Sequence, residues 1–149
     1  MNKLNNPARF SIRQVNWQQA QAELRAIRLQ VFVEEQRVPI ELEWDGCDEH
    51  AIHLLAMDSE GKVVGCARIL ANGIIGRMAV LKECRQQGAG HALLEYAICC
   101  CRERDWNSIT LSAQTHAIPF YERSGFVICS DEYMDAGIPH RDMQLKLSI

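Results

Sequence analysis

The sequence predicts an α/β fold of the α+β kind, with a mixed, mostly antiparallel sheet of six to seven strands flanked by about four helices. Three observations lead to this prediction. Residues 51–80 contain three short apolar strands joined by tight turns, which predicts an antiparallel meander. A glycine-containing loop and an amphipathic helix follow the meander. Strand patterns return at residues 108–147, where a second short helix interrupts them.

The composition is typical of one globular domain, and we assign residues 1–149 to a single unit. Hydrophobic residues make up 48% and charged residues 23% of the chain, which is ordinary for a soluble protein. The net charge of -3 argues against a nucleic-acid partner, which would require a basic surface. The first ten residues lack the apolar core of a signal peptide, and no apolar run is long enough to cross a bilayer. We therefore expect a cytoplasmic protein without a membrane partner.

The seven cysteines are an odd number, and Cys99–Cys101 follow one another on a predicted helix. Consecutive helical side chains point in different directions and do not converge on one metal ion. We therefore expect no metal site, and we assign these thiols a packing role in a reducing compartment.

The first predicted element is a strand at residues 10–15, in which apolar and polar side chains alternate. Asn16 is then suited to cap the N-terminus of an amphipathic helix. This helix is expected to end before Pro39, because the residue preceding a proline favours extended backbone. Its apolar face consists of Ala20, Leu24, Ile27 and Val31.

Residues 41–49 place five acidic side chains around Trp44 and Gly46. Such a run is typical of a solvated loop. The functional alternative is an anionic pocket for a cationic substrate, in which Trp44 helps to bind an amine. Arg77, in a later strand, is a candidate partner for one of these acids. The pattern alone leaves both interpretations open.

Two strands, at residues 51–57 and 63–70, are joined by a short turn at residues 59–62. Asn72-Gly73 has the sequence that a type I′ turn requires, so the strand at residues 74–80 is expected to fold back antiparallel. The meander therefore leads directly into the glycine loop.

The loop Arg85–Gly90 joins this strand to a helix that continues to Arg104. The first amides of a helix have no intrahelical partners, and two glycines allow several N–H groups to face one concavity. With the helix dipole and the charge of Arg85, this arrangement favours phosphate binding, although a tight turn without a ligand is the alternative. His91-Ala92 excludes a P-loop, and Leu93 excludes a dinucleotide fingerprint.

Residues 108–114 form the next strand, which is expected to lie parallel to residues 74–80 because a helix separates the two. A short helix at residues 116–124 tolerates Pro119 in its first turn and ends at Gly125. The two last strands and the loop between them are expected at residues 126–129, 141–147 and 130–140.

In residues 31–36, 85–90, 117–126 and 136–140 the chain resembles the GNAT superfamily of acetyl-CoA-dependent N-acetyltransferases. Arg85–Gly90 is similar to the pyrophosphate loop of this family, and Ala117–Phe126 is similar to its second signature. Val31–Gln36 and Ala136–His140 resemble the ElaA/YjcF-like branch. Because two motifs at the right separation are far more specific than either alone, the chain is identified as a member over nearly its whole length.

The resemblance implies a sheet that splays open between the strands ending at Val80 and Gln114. The pantetheine arm of acetyl-CoA would lie in this opening like an added strand, with its diphosphate at the helix start. Gln114 stands where many family members carry an Asn that bonds the arm. The implied cofactor-binding residues are Met78, Ala79, Val80, Arg85, Gln86, Gln87, Gly88, Ala89, Gly90, His91 and Gln114.

The implied reaction is direct transfer of the acetyl group to a primary amine of a small molecule or peptide. Tyr121 matches the general acid of the family, which protonates the departing thiolate; a buried aromatic is the alternative. The backbone amide of Met78 is implied as the oxyanion donor. An ammonium acceptor also needs a base, for which we select Glu43. The alternatives left open are Asp45, Asp48, His140 and a relay of waters.

Two other functions stay open at this point. One is a module that senses acetyl-CoA without turnover. The other is a nucleotide-binding protein of a different fold, which would bind ATP or NAD in place of coenzyme A. A homodimer is also left open.

Overall fold

The computed structural model describes residues 9–147 of the 149-residue chain. The strands in this part of the chain form one sheet in the order β1-β2-β3-β4-β5-β8-β6, with β7 paired to β8, and only β4 and β5 are parallel neighbours. Numbered along the chain, they are β1 (Ser11–Val15), β2 (Ile52–Met57), β3 (Val63–Leu70), β4 (Ile74–Val80), β5 (Ser108–Gln114), β6 (Val127–Ile128), β7 (Tyr133–Asp135) and β8 (Ile138–Lys146).

Helices pack against this sheet. A π-helical segment, Leu29–Glu35, continues directly from the first α-helix, and 3₁₀ turns occupy Lys82–Cys84 and Thr115–Ala117. The predicted mixed architecture, with a mostly antiparallel sheet and about four helices, is confirmed. The α-helices described between residues 9 and 147 are α1 (Trp17–Arg28), α2 (Ile40–Glu43), α3 (Ala89–Glu103) and α4 (Ile118–Glu122).

The N-terminal strand and helix form as predicted. Asn16 Oδ1 accepts a hydrogen bond from Gln19 N at 2.8 Å and so caps α1. All four residues of the predicted apolar face are buried. The π-helical continuation was not predicted, because one extra residue in a turn leaves the short apolar pattern almost unchanged.

The core lies on both sides of β3, whose residues Val64–Ile69 are all buried. Successive strand residues point to opposite faces, so a cover on each face is required, and α1 and α3 both pack against β3. The packing is close at Gly65, where a Cβ would lie 3.0 Å from Leu93 Cδ1 of α3. The meander that precedes the glycine loop is therefore packed between two helices.

The sheet opens between β4 and β5. These strands pair only at Ile74 with Thr110 and at Ile75 with Leu111. Beyond that point β4 remains paired with β3 as far as Val80, and β5 remains paired with β8 as far as Gln114. The predicted splay between the strands ending at Val80 and Gln114 is confirmed.

One predicted loop contains regular structure. Residues 130–140 include β7 and the start of β8, which form a hairpin around Ala136 and Gly137 with φ angles of 51° and 76°. An alanine in the left-handed region is rare, so the sequence carries no ordinary signal for this turn. The sheet described here consequently has eight strands, where six to seven were predicted.

In the part of the chain that the structure describes, no helix combines the length and apolar character needed to cross a bilayer. Residues 1–8, on which most of the signal-peptide argument rested, lie outside the described residues.

Candidate active site

A cleft of 580 Å³ lies where β4 and β5 separate. One wall comes from the π-helical segment and the acidic segment, and the other from α4 and the β7–β8 hairpin. Its volume is within the range of cofactor and small-molecule sites. Gln86–His91 lie outside its lining. The predicted site residues that line it are Glu43, Met78, Ala79, Val80, Arg85, Gln114 and Tyr121.

β4 has a bulge beside this cleft. Cys66 and Arg68 of β3 pair with Ala79 and Gly76, so β4 contains one residue more than β3 between these points. Arg77 has a φ of 47°, a left-handed conformation that costs a non-glycine residue about 1–2 kcal/mol. The bulge interrupts the ladder next to Met78, whose backbone amide is therefore a candidate donor to a ligand.

The glycine loop turns sharply into α3. Gly88 has a φ of 101°, which glycine adopts without strain. The first backbone bond of the helix runs from Ala92 N to Gly88 O at 3.0 Å, so the amides of residues 89–91 have no intrahelical partner. A Cβ on Gly90 would lie 3.4 Å from Phe120 Cζ. Gly88 therefore shapes the loop, whereas Gly90, predicted to bend it, allows α4 to approach closely.

Arg85 has an acidic partner that the sequence did not predict. Its Nη1 and Nη2 each donate to the Glu35 carboxylate at 2.6 Å, and its Nε donates to Val80 O at 2.9 Å. The hydrogen bonds to Glu35 raise the pKa of Arg85, and the same bonds lower the pKa of Glu35. The guanidinium predicted to bind phosphate is thus already paired, and the carbonyl of Val80, a residue whose backbone was predicted to bind the arm, accepts a hydrogen bond from it.

Gln114 is bonded in a similar way. Its Nε2 donates to Gln36 Oε1 at 2.8 Å, which joins the end of β5 to the residue after the π-helical segment. Because Glu35 and Gln36 are consecutive, one short stretch contacts both sides of the cleft. In the sequence, Val31–Gln36 indicated only the branch, since no spacing places residue 36 beside residue 114.

Tyr121 lies between α4 and β4. Its hydroxyl is 3.9 Å from Met78 Sδ, and its ring makes edge contacts with Phe120 and Phe126. Burial raises the pKa of Tyr121 to about 12. The phenol therefore keeps its proton at neutral pH and is chemically able to act as a proton donor at this position.

The acidic segment folds inward onto three arginines. Each arginine pairs with two carboxylates and each carboxylate with two arginines, so the six side chains form a closed ring of alternating charge. The N–O distances are 2.7 Å for Arg28 with Glu43 and with Asp48, 2.8 and 3.1 Å for Arg68 with Asp45 and Asp48, and 2.9 and 3.2 Å for Arg77 with Glu43 and Asp45.

This ion-pair ring corrects both interpretations of the acidic segment. Glu43 and Asp48 are 3% and 6% exposed, so they do not belong to a solvated loop. Three carboxylates are balanced by three guanidinium groups, so they do not form an anionic pocket either. The expected pairing of Arg77 with an acid is confirmed. Burial opposes ionisation of Asp45 and Asp48, but their arginine partners outweigh it and lower the pKa of both carboxyls.

Trp44 lies against the same ring of charges. The guanidinium carbons of Arg25 and Arg28 are 4.8 and 5.1 Å from the centroid of its indole. The aromatic that was predicted to help bind a substrate amine is therefore stacked on guanidinium groups of its own chain.

The remaining candidates differ in their surroundings. His140, one of the alternative bases, lines the cleft, whereas His53 is buried and its Nε2 donates to the Asp48 carbonyl at 2.9 Å. Burial raises the pKa of Cys66 to about 12 and of Cys101 to about 11, so neither thiol is an activated nucleophile. Between residues 9 and 147, no three His, Cys, Asp or Glu side chains group as a metal site.

Comparison with known proteins matches residues 15–147 to a family model described as an acetyltransferase (GNAT) domain. The chain is 36% identical over 121 residues to the uncharacterized N-acetyltransferase YjcF of Bacillus subtilis (strain 168), covering 78% of this chain and 86% of YjcF. An acyl-CoA N-acyltransferase structure from Pseudomonas aeruginosa aligns with a TM-score of 0.74 and 32% identity, over 91% of this chain and 97% of that one. The crystal structure of Escherichia coli ElaA aligns with a TM-score of 0.79 and 26% identity, over 91% and 98% of the two chains.

Proposed function

The chain belongs to the GNAT acetyltransferase family, in its ElaA/YjcF-like branch, and from this premise we propose that it transfers an acetyl group from acetyl-CoA directly to a primary amine. Family membership supports acyl-CoA-dependent acyl transfer in general. The acetyl donor and the acceptor, an amine of a small molecule or peptide, belong to the proposal. The observation that carries it is the opening between β4 and β5, whose β4 edge continues through the glycine loop into the N-terminus of α3.

The donor would lie along the free edge of β4. Beyond Ile75, β4 does not pair with β5, and backbone groups of Met78, Ala79 and Val80 would bind the pantetheine arm as an added strand does. The diphosphate would lie on amides of the glycine loop, residues 86–91, where the helix dipole favours an anion. Arg85 and Gln114 would also contact the donor once they exchange their present partners, Glu35 and Gln36.

Two groups near the bulge would serve the acyl centre. The Met78 amide would donate to the thioester oxygen as it becomes an oxyanion. The Tyr121 hydroxyl lies beside the Met78 side chain and would donate its proton to the departing sulfur. Much of the rate enhancement would come from holding amine and thioester together, because direct transfer needs no covalent intermediate on the enzyme.

Glu43 remains the predicted base, but its surroundings argue against this role. Its Oε2 accepts from Arg28 Nε at 2.7 Å and lies 2.9 Å from Arg77 Nε. A substrate ammonium would have to compete with two guanidinium groups for this carboxylate. The position of Glu43 instead supports a role in fixing Arg77, and through it the bulge of β4.

Isothermal titration calorimetry with coenzyme A and acetyl-CoA tests the first half of the proposal. We expect a Kd between ~1 μM and ~1 mM, the usual range for an enzyme substrate. No heat at millimolar concentrations, or binding of ATP or NAD in its place, would contradict it.

Mass spectrometry of the products from a panel of primary amines with acetyl-CoA tests the second half. An acetylated amine and an equal amount of free coenzyme A are expected. Tight donor binding without transfer to any amine would support the acetyl-CoA sensor instead.

A further inference from the structure

His140 is placed in the cleft by β8. It is 8% exposed, pairs in register with Gln114 at the end of β5, and lines the cleft together with Tyr121. A nearly buried imidazole in the wall of a ligand-sized cleft has no part in the steps described so far.

The tautomer of this imidazole is fixed by its backbone partner. His140 Nδ1 is 2.7 Å from the carbonyl oxygen of Ile138, and because a carbonyl only accepts, Nδ1 carries the hydrogen. The neutral ring then keeps a lone pair on Nε2. Within residues 9–147 no group bonds Nε2, and this nitrogen is not among the buried atoms without a partner, so it keeps accessible surface on a residue that lines the cleft.

The orientation of the ring is fixed as well. Tyr133 of β7 stacks on it, with ring centroids 6.1 Å apart and an angle of 19° between the planes. The Tyr133 hydroxyl is hydrogen-bonded to Ser112 of β5 and to Asp142 of β8. The imidazole is therefore held on one face and at Nδ1, with only Nε2 available for chemistry.

Titratable and charged groups lie on three of the elements around this histidine. The titratable and charged neighbours are the phenol of Tyr133 and the carboxylate of Asp135 on β7, Arg141 and Asp142 on β8 itself, and His116 in the 3₁₀ turn after β5. The facing residues of β5 and β6 are uncharged. None of these groups forms an ion pair or hydrogen bond with the ring in residues 9–147.

We propose that His140 Nε2 is the general base that takes the proton from the acceptor ammonium. This inference rests on the proposed function. The neutral amine nitrogen then forms a bond to the thioester carbon, and the C–S bond breaks as Tyr121 gives its proton to sulfur. The second proton of the nitrogen restores the phenol, the third remains on the amide, and His140 releases its proton to solvent.

Two amine substrates distinguish a general base at His140 from a residue with a purely structural role. The first is a primary alkylamine from the panel, which is an ammonium at neutral pH. The second is its β,β,β-trifluorinated analogue, whose three electron-withdrawing fluorines keep the nitrogen largely neutral there, so that it needs no base. In His140→Asn, an amide N–H replaces Nδ1–H toward Ile138, while the Nε2 lone pair is lost.

We expect His140→Asn to lower kcat/KM for the alkylamine by about 10²-fold or more and to leave the fluorinated amine within a few-fold of wild type. The rate with the alkylamine should recover as pH rises toward the pKa of that amine. For each variant, the ratio of the rate with the alkylamine to the rate with the fluorinated amine does not depend on the fraction of protein that is folded. Partial unfolding of a variant therefore does not affect this comparison. Glu43→Gln should change both rates by the same factor.

Equal losses with both amines in His140→Asn, or the selective loss appearing in Glu43→Gln instead, would overturn the assignment. Wild-type protein that transfers to neither amine would overturn the proposed function itself, and the base with it.

Discussion

Glu35 and Arg85 form a two-point ion pair at the end of the cleft, with both N–O distances at 2.6 Å. The carboxylate thus lies beside the loop where a diphosphate is proposed to bind, and it holds the guanidinium that would neutralise that anion. Gln36 makes the matching contact with Gln114 on the other side. Donor binding therefore has to compete with contacts from one short stretch of chain.

The first prediction follows from this competition. Glu35→Gln removes a negative charge near the diphosphate and frees Arg85, so coenzyme A should bind about 2- to 5-fold more tightly, with a partly exposed ion pair contributing up to ~1 kcal/mol. Titration calorimetry at low salt measures the effect. Glu34→Gln is the matched control, since it makes the same charge change at an exposed neighbouring position. Weaker binding in Glu35→Gln would show that the pair supports the site.

The second prediction concerns Tyr121. Tyr121→Phe removes only the hydroxyl, so kcat should fall by about 10²-fold while the Kd for coenzyme A stays unchanged. Since burial raises the pKa of Tyr121 to about 12, the wild-type rate should show no loss from deprotonation of this phenol below pH 10. Tyr96→Phe, on the exposed side of α3, is the control and should retain full activity. An unchanged kcat in Tyr121→Phe would exclude it as the acid.

The third prediction concerns Gly88 in the glycine loop. It distinguishes an effect on coenzyme A binding from the loss of stability that alanine causes at any positive φ. Gly88 and Gly61 both have positive φ, 101° and 82°, and a Cβ on either would contact no atom within 4 Å. Alanine at either position should therefore cost about 1 kcal/mol of unfolding free energy. Only Gly88→Ala should also weaken coenzyme A binding, because only Gly88 shapes the amides at the start of α3. Equal affinities in the two variants would argue against a diphosphate at this loop.

The fourth prediction concerns the ion-pair ring. Arg28 is 1% exposed and bonds both Glu43 and Asp48, so Arg28→Met leaves two buried carboxylates short of a partner. The free energy of unfolding should fall by about 3–5 kcal/mol in urea denaturation. Arg25→Met, one turn earlier on the exposed side, should cost less than about 1 kcal/mol. Similar losses in the two variants would mean that the ring is not a main source of stability.

The fifth prediction concerns the fall in the free energy of unfolding at acid pH. Asp45 and Asp48 have lowered pKa values in the folded protein, so the unfolded chain binds protons first as pH falls. Their contribution is complete above about pH 4, the unfolded value, and is lost below it. Urea denaturation at a series of pH values should show a shallower decline in Asp45→Asn than in wild type. Asp131→Asn, an exposed control outside the ring, should follow the wild-type curve.

Local features of the fold were predictable from the sequence because their causes are local. Asn16 caps the helix that starts next to it, and the apolar face of α1 follows from its helical period. Asn72 and Gly73 both adopt the positive φ that their turn demands. The glycine loop before α3 likewise follows from residues that are adjacent in the chain.

The sequence by itself determined seven of the eight described strands and the helices α1, α3 and α4, and its resemblance to the family implied the opening of the sheet. Only the tertiary structure decided which side chains meet there. Arg28 and Glu43 are 15 residues apart and Gln36 and Gln114 are 78 apart, and neither pairing has a periodic signal. The sequence of an acidic run is the same whether its carboxylates face water or arginine side chains. The packing of α1, β3 and β4 decided which partners the carboxylates of that run have, because each of these elements carries one arginine of the ring.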